Sequence, residues 1–270
     1  MRVAAGPEGA MSDQLTELGK GGRVLVVHAH PDDETLATGA TIADLAARGI
    51  EITLATASAG EAAEQGDVHD ARRQREAKLQ RAAHFLGISE QYRLGGPGRW
   101  VDDAGQGGTN SLTNADPAEL SAEIVALIGR LRPELILTVG SDGITNHPDH
   151  ILISSAVRAA TDHLGGPPAF GACVLADDVS AARRRIAEFT SDLVGSGGVQ
   201  GISAADLTFS AGDAAAISKR RALAEYAPVL ADMALEELLT IPGPHGGDTE
   251  LLRIVFDIAG WATEHYQRLN

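Results

Sequence analysis

Along the first two-thirds of the chain, short apolar runs alternate with stretches in which apolar residues recur every three or four positions. The short runs are typical of buried strands and lie at 23–28, 51–57, 91–94, 134–139 and 172–176. The longer stretches are typical of helices and lie at 34–48, 67–86, 117–131 and 149–164. This βαβα order predicts an α/β fold with a mostly parallel sheet and helices on both faces.

The pattern is less regular in the last third. Residues 213–239 have helical periodicity, the apolar run 251–256 predicts a late strand, and 258–269 predict a closing helix. Two further segments predict loops, one rich in Gly and Ser at 195–201 and one rich in Gly and Pro at 241–248.

Length and composition favour one large domain. The 270 residues are 44% hydrophobic, and no repeat or linker divides them, so we expect a flexible N-terminal tail over 1–22 and a single domain over 23–270. The net charge of −15 argues against nucleic acid or an anionic membrane as a partner. Cys173 is the only cysteine, which excludes an intrachain disulfide and favours a reducing, cytoplasmic location. A homo-oligomer is compatible with the sequence.

Two clusters of histidine and acidic residues each follow a predicted strand. The first is His-Ala-His-Pro-Asp-Asp-Glu at 28–34, and the second is His-Pro-Asp-His at 147–150. The carboxyl ends of parallel strands form the edge at which open α/β sheets bind ligands. The two clusters together therefore predict one metal site with three protein ligands, the arrangement of catalytic centres.

Spacing divides the residues of the first cluster. His30 and Asp33 are three positions apart, so a helical turn places them on one side, while Asp32 points elsewhere. Glu34 lies in the first helical turn, where its charge is favoured by the helix dipole or where it holds a ligand in place. The cluster thus offers two ligands and one free carboxylate.

The second cluster has a similar spacing. His147 and His150 are three apart, with Asp149 between them, and one ligand from this cluster would complete a His₂Asp site. Zinc is the natural occupant of such a site, and nickel or ferrous iron also fits these ligand types. A metal so held lowers the pKa of water toward about 7, a free carboxylate accepts the proton, and a free histidine stabilises an oxyanion or protonates an amine. These parts suit hydrolysis of an amide or ester.

The segments 29–34 and 147–150 resemble the paired motifs of the LmbE-like, or PIG-L, family of zinc-dependent N-acetylglucosaminyl deacetylases, and the similarity extends over about 23–164. The resemblance implies a Rossmann-like fold, one Zn²⁺ per chain, and removal of the acetyl group from a small amino-sugar substrate. It also implies that His30, Asp33 and His150 bind zinc.

The resemblance implies further roles. Asp32 matches the general base, His147 the residue that stabilises the oxyanion or protonates the amine, and Asp149 the carboxylate that orients His147. Residues 94–102 resemble a loop of the branch that deacetylates GlcNAc-inositol in mycothiol biosynthesis. Two substrate contacts follow from this branch, Arg75 and Asp102.

The chain departs from that branch at several substrate-facing positions. Thr145 occupies a position where Tyr is frequent, and Asn146 occupies one where Gly is usual. Residues 103–104 are Asp-Ala in place of Ser-Gly, and Tyr226 occupies a position where His is usual. Alternative substrates therefore stay open, namely a mycothiol S-conjugate or an acylated glycopeptide or aminoglycoside intermediate.

Two other classes of protein are less compatible with the residues. A non-catalytic sugar- or metal-binding protein needs neither Asp32 nor His147. A nucleotide-binding protein would have a Gly-rich turn after the first strand, where this chain has the carboxylates of 28–34.

Overall fold

A computed structural model describes residues 15, 18–189, 198–241, 245 and 247–270. Within these residues, seven strands form one sheet: β1 (Arg23–His28), β2 (Glu51–Thr56), β3 (Glu90–Arg93), β4 (Leu135–Val139), β5 (Ala169–Cys173), β6 (Leu207–Ser210) and β7 (Thr263–Arg268). The strand order is β3-β2-β1-β4-β5-β7-β6. Strands β1 to β5 are parallel, and β7 pairs antiparallel with both β5 and β6.

In the same described ranges, ten complete α-helical segments surround the sheet: α1 (Asp33–Ala47), α2 (Val68–Leu86), α3 (Pro117–Leu131), α4 (Gly143–Asn146), α5 (Pro148–Leu164), α6 (Ala176–Ala187), α7 (Asp213–Tyr226), α8 (Pro228–Asp232), α9 (Leu235–Leu238) and α10 (Asp248–Ala259). Short 3₁₀ turns lie at Glu61–Ala63 and Leu112–Asn114. Helices α3 and α5 cover one face, and α1, α2, α6, α7 and α10 pack with the other face. The predicted fold class is confirmed.

The central strand β1 explains why the sheet has two apolar layers. Leu25 and Val27 belong to the core beneath α3 and α5, whereas Val24 and Val26 belong to the core beneath α1. Because both faces are covered, the strand is a continuous apolar run with no polar alternation. This placement brings the carboxyl ends of β1 and β4 next to each other.

Local signals set the ends of the regular helices. The Asp67 carboxylate accepts hydrogen bonds from the backbone of His69 and Asp70 at the start of α2. Helix α2 ends at Gly87, whose φ of 74° lies in the left-handed region that favours glycine. At the start of α3, Asp116 caps Ala118 in the same way.

Several predicted elements of the last third are wrong. The strand predicted at 172–176 lies three residues earlier, as β5. The helix predicted at 213–239 is interrupted after Tyr226, because Pro228 disfavours a helical conformation of the preceding residue and instead begins α8. Helix α6 and strand β6 were not predicted from the sequence.

The order of the last two elements is reversed relative to the prediction. The apolar run 251–256 is the centre of α10, and its six residues are all buried, which hides the helical period. The helix predicted at 258–269 is instead β7, whose inward-facing residues are Glu264 and Tyr266. A strand with polar residues on its buried side does not show apolar alternation.

Part of the predicted N-terminal tail lies within the described residues. Leu15 is buried, and its carbonyl accepts a hydrogen bond from Arg48 Nη1 at 2.9 Å. Gly21 pairs through its backbone with Gly49. The division of the chain at residue 22 stays a prediction, and so do the parts of the predicted loops that lie outside the described residues, at 195–197, 242–244 and 246. No helix in the described ranges has the length and apolar character that crossing a membrane requires.

A buried carboxylate explains the polar character of β7. Glu264 accepts hydrogen bonds from Lys219 Nζ at 2.8 Å, from the backbone N–H groups of Ala40 and Thr41 at 2.9 Å each, and from the Tyr266 hydroxyl at 3.0 Å. Lys219 is almost completely buried, so Glu264 carries the opposite charge that it requires. The pair joins α7, β7 and α1.

We expect Lys219→Met to lower the free energy of unfolding by about 3–5 kcal/mol, because it leaves the Glu264 charge buried without its partner. Urea denaturation of the purified protein measures this change. Lys20→Met, at an exposed position, is the matched control and should change stability by less than about 0.5 kcal/mol. Equal stability of the two variants would show that the N–H and O–H donors alone stabilise Glu264.

Candidate active site

The turn between β1 and α1 separates two adjacent carboxylates. The backbone N–H of His30 donates to Asp33 Oδ2 at 3.0 Å, which closes the turn. Asp32 has φ 109° and ψ −27°, a left-handed conformation that is uncommon for a residue other than glycine. As a result Asp33 is buried on the side of His30, whereas Asp32 stays partly exposed.

Two side chains, Glu34 and Arg75, hold Asp32 in this conformation. Its backbone N–H donates to Glu34 Oε2 at 2.9 Å, and its carboxylate accepts a hydrogen bond from Arg75 Nη2. The same guanidinium donates to the carbonyl of Pro31 from Nε at 3.1 Å and from Nη2 at 2.8 Å. Burial raises the pKa of the Asp32 carboxyl above its ordinary value, and Arg75 opposes this only in part.

A turn with unfavourable backbone conformations also precedes the second cluster. Helix α4 contains Gly143, Ile144 and Asn146 with φ of 65°, 60° and 54°. Asn tolerates the left-handed region better than most residues, which explains how Asn146 replaces the usual Gly. Ile144 is β-branched and has no such tolerance, so its conformation is strained. The turn places the Gly143 carbonyl 3.0 Å from His150 Nδ1.

The three predicted metal ligands meet at one point. His150 Nε2 lies 3.1 Å from Asp33 Oδ1 and 3.3 Å from His30 Nδ1. One ligand atom from each of the three residues lies within 4.8 Å of the others. Within the described part of the chain, a second group overlaps with this one and consists of His30, His147 and Asp149.

Hydrogen bonds indicate which imidazole nitrogens are free to bind a metal. His150 donates from Nδ1 to the Gly143 carbonyl, so its Nε2 carries the lone pair. His30 donates from Nε2 to Asp149 Oδ2 at 3.0 Å, so its Nδ1 carries the lone pair. When both rings are neutral, as metal ligands must be, these two nitrogens face each other across 3.3 Å beside the Asp33 carboxylate, and a divalent cation there would take the place of the proton that Asp33 favours on His150. This donor set fits a divalent metal.

The electrostatics of the cluster also favour a positive charge. Burial lowers the pKa of His150, but Asp33 outweighs burial and raises it to about 9. Burial likewise raises the pKa of Asp33, yet the neighbouring histidines His150 and His30 hold it well below its usual range. The Asp33 carboxylate is therefore ionised at neutral pH and available as a ligand.

Asp149 contacts a different histidine from the one that the resemblance implied. Its carboxylate accepts hydrogen bonds from His30 and, at 2.8 Å, from Thr113 Oγ1. Only its backbone N–H reaches His147, at 3.3 Å from Nδ1. The carboxylate therefore fixes the orientation of a predicted metal ligand. Thr113 was missed from the sequence, because a lone Thr at the end of a long loop carries no signal of its own.

His147 caps the start of α5 and faces the cluster. Its Nδ1 accepts the hydrogen bond from the Asp149 backbone, so a neutral His147 carries its proton on Nε2. Its ring centroid lies 5.2 Å from that of His30 and 4.8 Å from that of His150. Burial and these two histidines lower the pKa of His147, which keeps the ring neutral near pH 7. His147 can therefore donate a hydrogen bond from Nε2.

The two predicted substrate contacts differ in their surroundings. Arg75 is buried, and its guanidinium already contacts Pro31, Asp32 and, at 3.3 Å, Glu64. Asp102 is half-buried in the loop that leads to Leu112–Asn114. Burial lowers the pKa of His30 and the carboxylates of Asp149 and Asp33 raise it, with a smaller contribution in the same direction from Asp102. The structure thus places Arg75 behind Asp32 and Asp102 within electrostatic range of His30.

Tyr226 was not among the predicted site residues. Its hydroxyl donates to Glu34 Oε1 at 2.9 Å, and its ring lies 4.6 Å from the Arg75 guanidinium. The sequence contained one signal, since Tyr226 is among the departures from the family pattern. Its distance of 192 residues from Glu34 along the chain concealed the contact.

Comparison with known sequences supports the family resemblance. The chain is 39% identical over 165 residues to a Thermobispora bispora protein named 1D-myo-inositol 2-acetamido-2-deoxy-alpha-D-glucopyranoside deacetylase. This alignment covers 55% of the present chain and 54% of the relative. A protein of the same name from Mycolicibacterium gilvum is 41% identical over 187 residues, covering 62% of this chain and 64% of its own length. The chain thus matches a little more than half the length of these relatives.

Solved structures share the fold. A zinc-inhibited form of the teicoplanin deacetylase Orf2 superposes with a TM-score of 0.60 at 19% identity, covering 91% of this chain and 98% of that one. The 4-carboxy-2-hydroxymuconate hydratase GalB of Pseudomonas putida superposes with a TM-score of 0.57 at 16% identity, covering 92% and 96%. Because the fold supports both a deacetylase and a hydratase, it does not by itself identify the reaction.

The sequence profile described as "PIG-L: GlcNAc-PI de-N-acetylase" matches residues 25–161, slightly more than half of the chain and a range that includes both histidine clusters. The chain therefore belongs to the GlcNAc-PI de-N-acetylase (PIG-L) family, as the paired motifs predicted.

Proposed function

We propose that this protein is a zinc-dependent hydrolase that removes the acetyl group from an N-acetylglucosaminide, with a GlcNAc-inositol-like glycoside as its substrate. The observation that carries the proposal is that the two clusters contain two kinds of side chain, those that converge as metal donors and those that lie beside the donors. His30, Asp33 and His150 converge as donors, while the Asp32 carboxylate belongs to neither candidate metal group and His147 stands outside this one with its Nε2–H facing the cluster. A protein that only binds a metal has no use for such a pair.

In this proposal His30 Nδ1, Asp33 and His150 Nε2 hold the metal. When bound, Zn²⁺ polarises the amide carbonyl and lowers the pKa of the attacking water. Two neutral imidazoles and one carboxylate leave the ion with a net positive charge, which suits that chemistry. Ferrous iron fits the same donors.

The side chain of Asp32 accepts and donates a proton during the reaction, and that of His147 donates a hydrogen bond. Asp32 is partly exposed and has a raised pKa, so its carboxylate accepts a proton from the attacking water more readily than an ordinary Asp does. Its second oxygen stays oriented by Arg75. His147 donates a hydrogen bond from Nε2 to the developing oxyanion, and the proton that Asp32 has accepted from the water passes to the departing amine.

The contacts of the predicted substrate residues refine their roles. Arg75 would have to give up contacts with Pro31 or Asp32 to bind a sugar, so we propose that it positions Asp32. Asp102 has a carboxylate at the rim of the cluster and can accept hydrogen bonds from sugar hydroxyls. The names of the relatives and the loop 94–102 support GlcNAc-inositol as the sugar.

Replacing Asp32 by Asn tests the base. We expect kcat to fall by about 10²–10⁴-fold, because the amide cannot accept the proton, while metal content stays at one ion per chain. Primary-amine release and elemental analysis measure the two quantities. Asp116→Asn, an exposed helix cap, is the matched control. An Asp32→Asn enzyme with near wild-type turnover would refute the assignment.

Replacing Asp149 by Asn distinguishes between two roles of its carboxylate, orienting the metal ligand His30 and orienting His147. Asn can still accept from His30 and donate to Thr113, but it lacks the negative charge that strengthens the hydrogen bond to His30, so we expect metal affinity to fall about 10–100-fold. Competition with a chromogenic zinc chelator measures the affinity, and Asp162→Asn on the exposed side of α5 is the control. Unchanged affinity with a lower kcat would instead show that Asp149 acts through His147.

A substrate panel tests the aglycone. The zinc-loaded protein would be assayed for amine release from GlcNAc-inositol, GlcNAc, a mycothiol S-conjugate and an acylated aminoglycoside, and we expect the highest kcat/KM for GlcNAc-inositol. Release from another member alone would keep the reaction and change the substrate. Zinc binding without release from any member would favour a binding protein.

A further inference from the structure

The Tyr226 hydroxyl connects to the backbone of Asp32 through a single carboxylate. It donates to Glu34 Oε1 at 2.9 Å, and Glu34 Oε2 accepts the backbone N–H of Asp32 at 2.9 Å. Glu34 is completely buried, and its other donor is Thr35 Oγ1 at 2.8 Å. Removing the hydroxyl would therefore leave a buried carboxylate one donor short, beside the residue that it holds.

The ring of Tyr226 reaches the same residue by a second route. The Arg75 guanidinium lies over the ring, 4.6 Å from its centroid, and Nη2 of Arg75 contacts the Asp32 carboxylate. The hydroxyl thus acts on the peptide group of Asp32 and the ring on its side chain. A phenol is the side chain that serves both contacts, since it has an aromatic face and a donor at its tip.

Asp32 needs this support because its conformation is unfavourable. Its φ is 109°, and its own side chain makes no capping hydrogen bond to α1. Such a residue persists only where its surroundings determine it from several sides. Burial and the Glu34 charge raise the pKa of Tyr226, which keeps its hydroxyl protonated as a donor.

We propose that Tyr226, at the position where His is usual in this segment, is a positioning residue for Asp32 and acts through Glu34 and Arg75. The inference rests on the proposed function, in which Asp32 is the base. It assigns a role to α7, which lies far along the chain from both histidine clusters. The simple alternative is that Tyr226 only packs α7 against α1 and α2.

The test uses the three tyrosines of the chain, because each donates to a carboxylate. Tyr226 donates to Glu34, Tyr266 to the buried Glu264 at 3.0 Å, and Tyr92 to the exposed Glu90 at 2.8 Å. Each would be changed to Phe in the zinc-loaded full chain. Tyr226→Phe keeps the ring over Arg75 and removes only the donor, and Tyr266→Phe is the matched control for loss of a buried hydroxyl.

We expect kcat of Tyr226→Phe to fall about tenfold, with KM within about twofold and zinc content unchanged. Tyr266→Phe and Tyr92→Phe should keep the wild-type kcat, even where Tyr266→Phe lowers the melting temperature. In the Asp32→Asn background, Tyr226→Phe should change the residual rate by less than about twofold. An unchanged kcat, or the same tenfold loss in the Asp32→Asn background, would refute the proposal.

Crystal structures of the wild type and of Tyr226→Phe at the same pH provide a readout that is independent of activity. We expect the Asp32 carboxylate to move or to occupy two positions in Tyr226→Phe while the His30, Asp33 and His150 positions stay fixed. An unmoved Asp32 would refute the positioning role. If the wild type cleaves no amide, the proposed function fails, and the structures alone decide whether Tyr226 positions Asp32.

Discussion

The left-handed backbone of Asp32 is the constraint on which the site depends. It allows two consecutive carboxylates to serve different purposes, one buried among the histidines and one left partly exposed. The conformation is maintained from the outside by Glu34 and Arg75. Arg75 comes from α2, and the Tyr226 hydroxyl on Glu34 comes from α7, so two distant helices determine the orientation of one side chain.

The metal ligands are held by a separate set of contacts. Asp149 fixes the ring of His30, and Thr113 fixes Asp149 from the end of the loop that connects β3 to α3. The Gly143 carbonyl fixes His150 through a turn with three left-handed residues. The same loop also carries Asp102, so the residue proposed to contact the sugar and the residue that supports Asp149 lie on one continuous segment.

The last third of the chain stabilises helix α1, which carries the first cluster, through contacts from β7 and α7. Strand β7 extends the sheet antiparallel to β5, and Glu264 from this strand accepts two backbone N–H groups of α1. Lys219 on α7 neutralises that carboxylate. The same helix α7 ends at Tyr226, so one element supplies both the buried counter-charge and the support for Asp32. A polar core at this position gives α1 a fixed rotation relative to the sheet.

The sequence by itself determined the fold class and the family, and it predicted that His30 and Asp33 would meet a ligand from 147–150. These follow from local patterns, since apolar runs mark buried strands and parallel strands bring their carboxyl ends to one edge, whereas the choice of His150 came from the family resemblance. Only the tertiary structure decided which histidine Asp149 orients, where the Arg75 guanidinium is used, and that Tyr226 and Thr113 belong to the site. The sequence also misassigned α10 and β7, because the six consecutive buried residues at the centre of α10 resemble a buried strand, and a strand with Glu264 and Tyr266 on its inner side shows no apolar alternation. Such choices depend on partners far away in the chain, and periodicity carries no information about them.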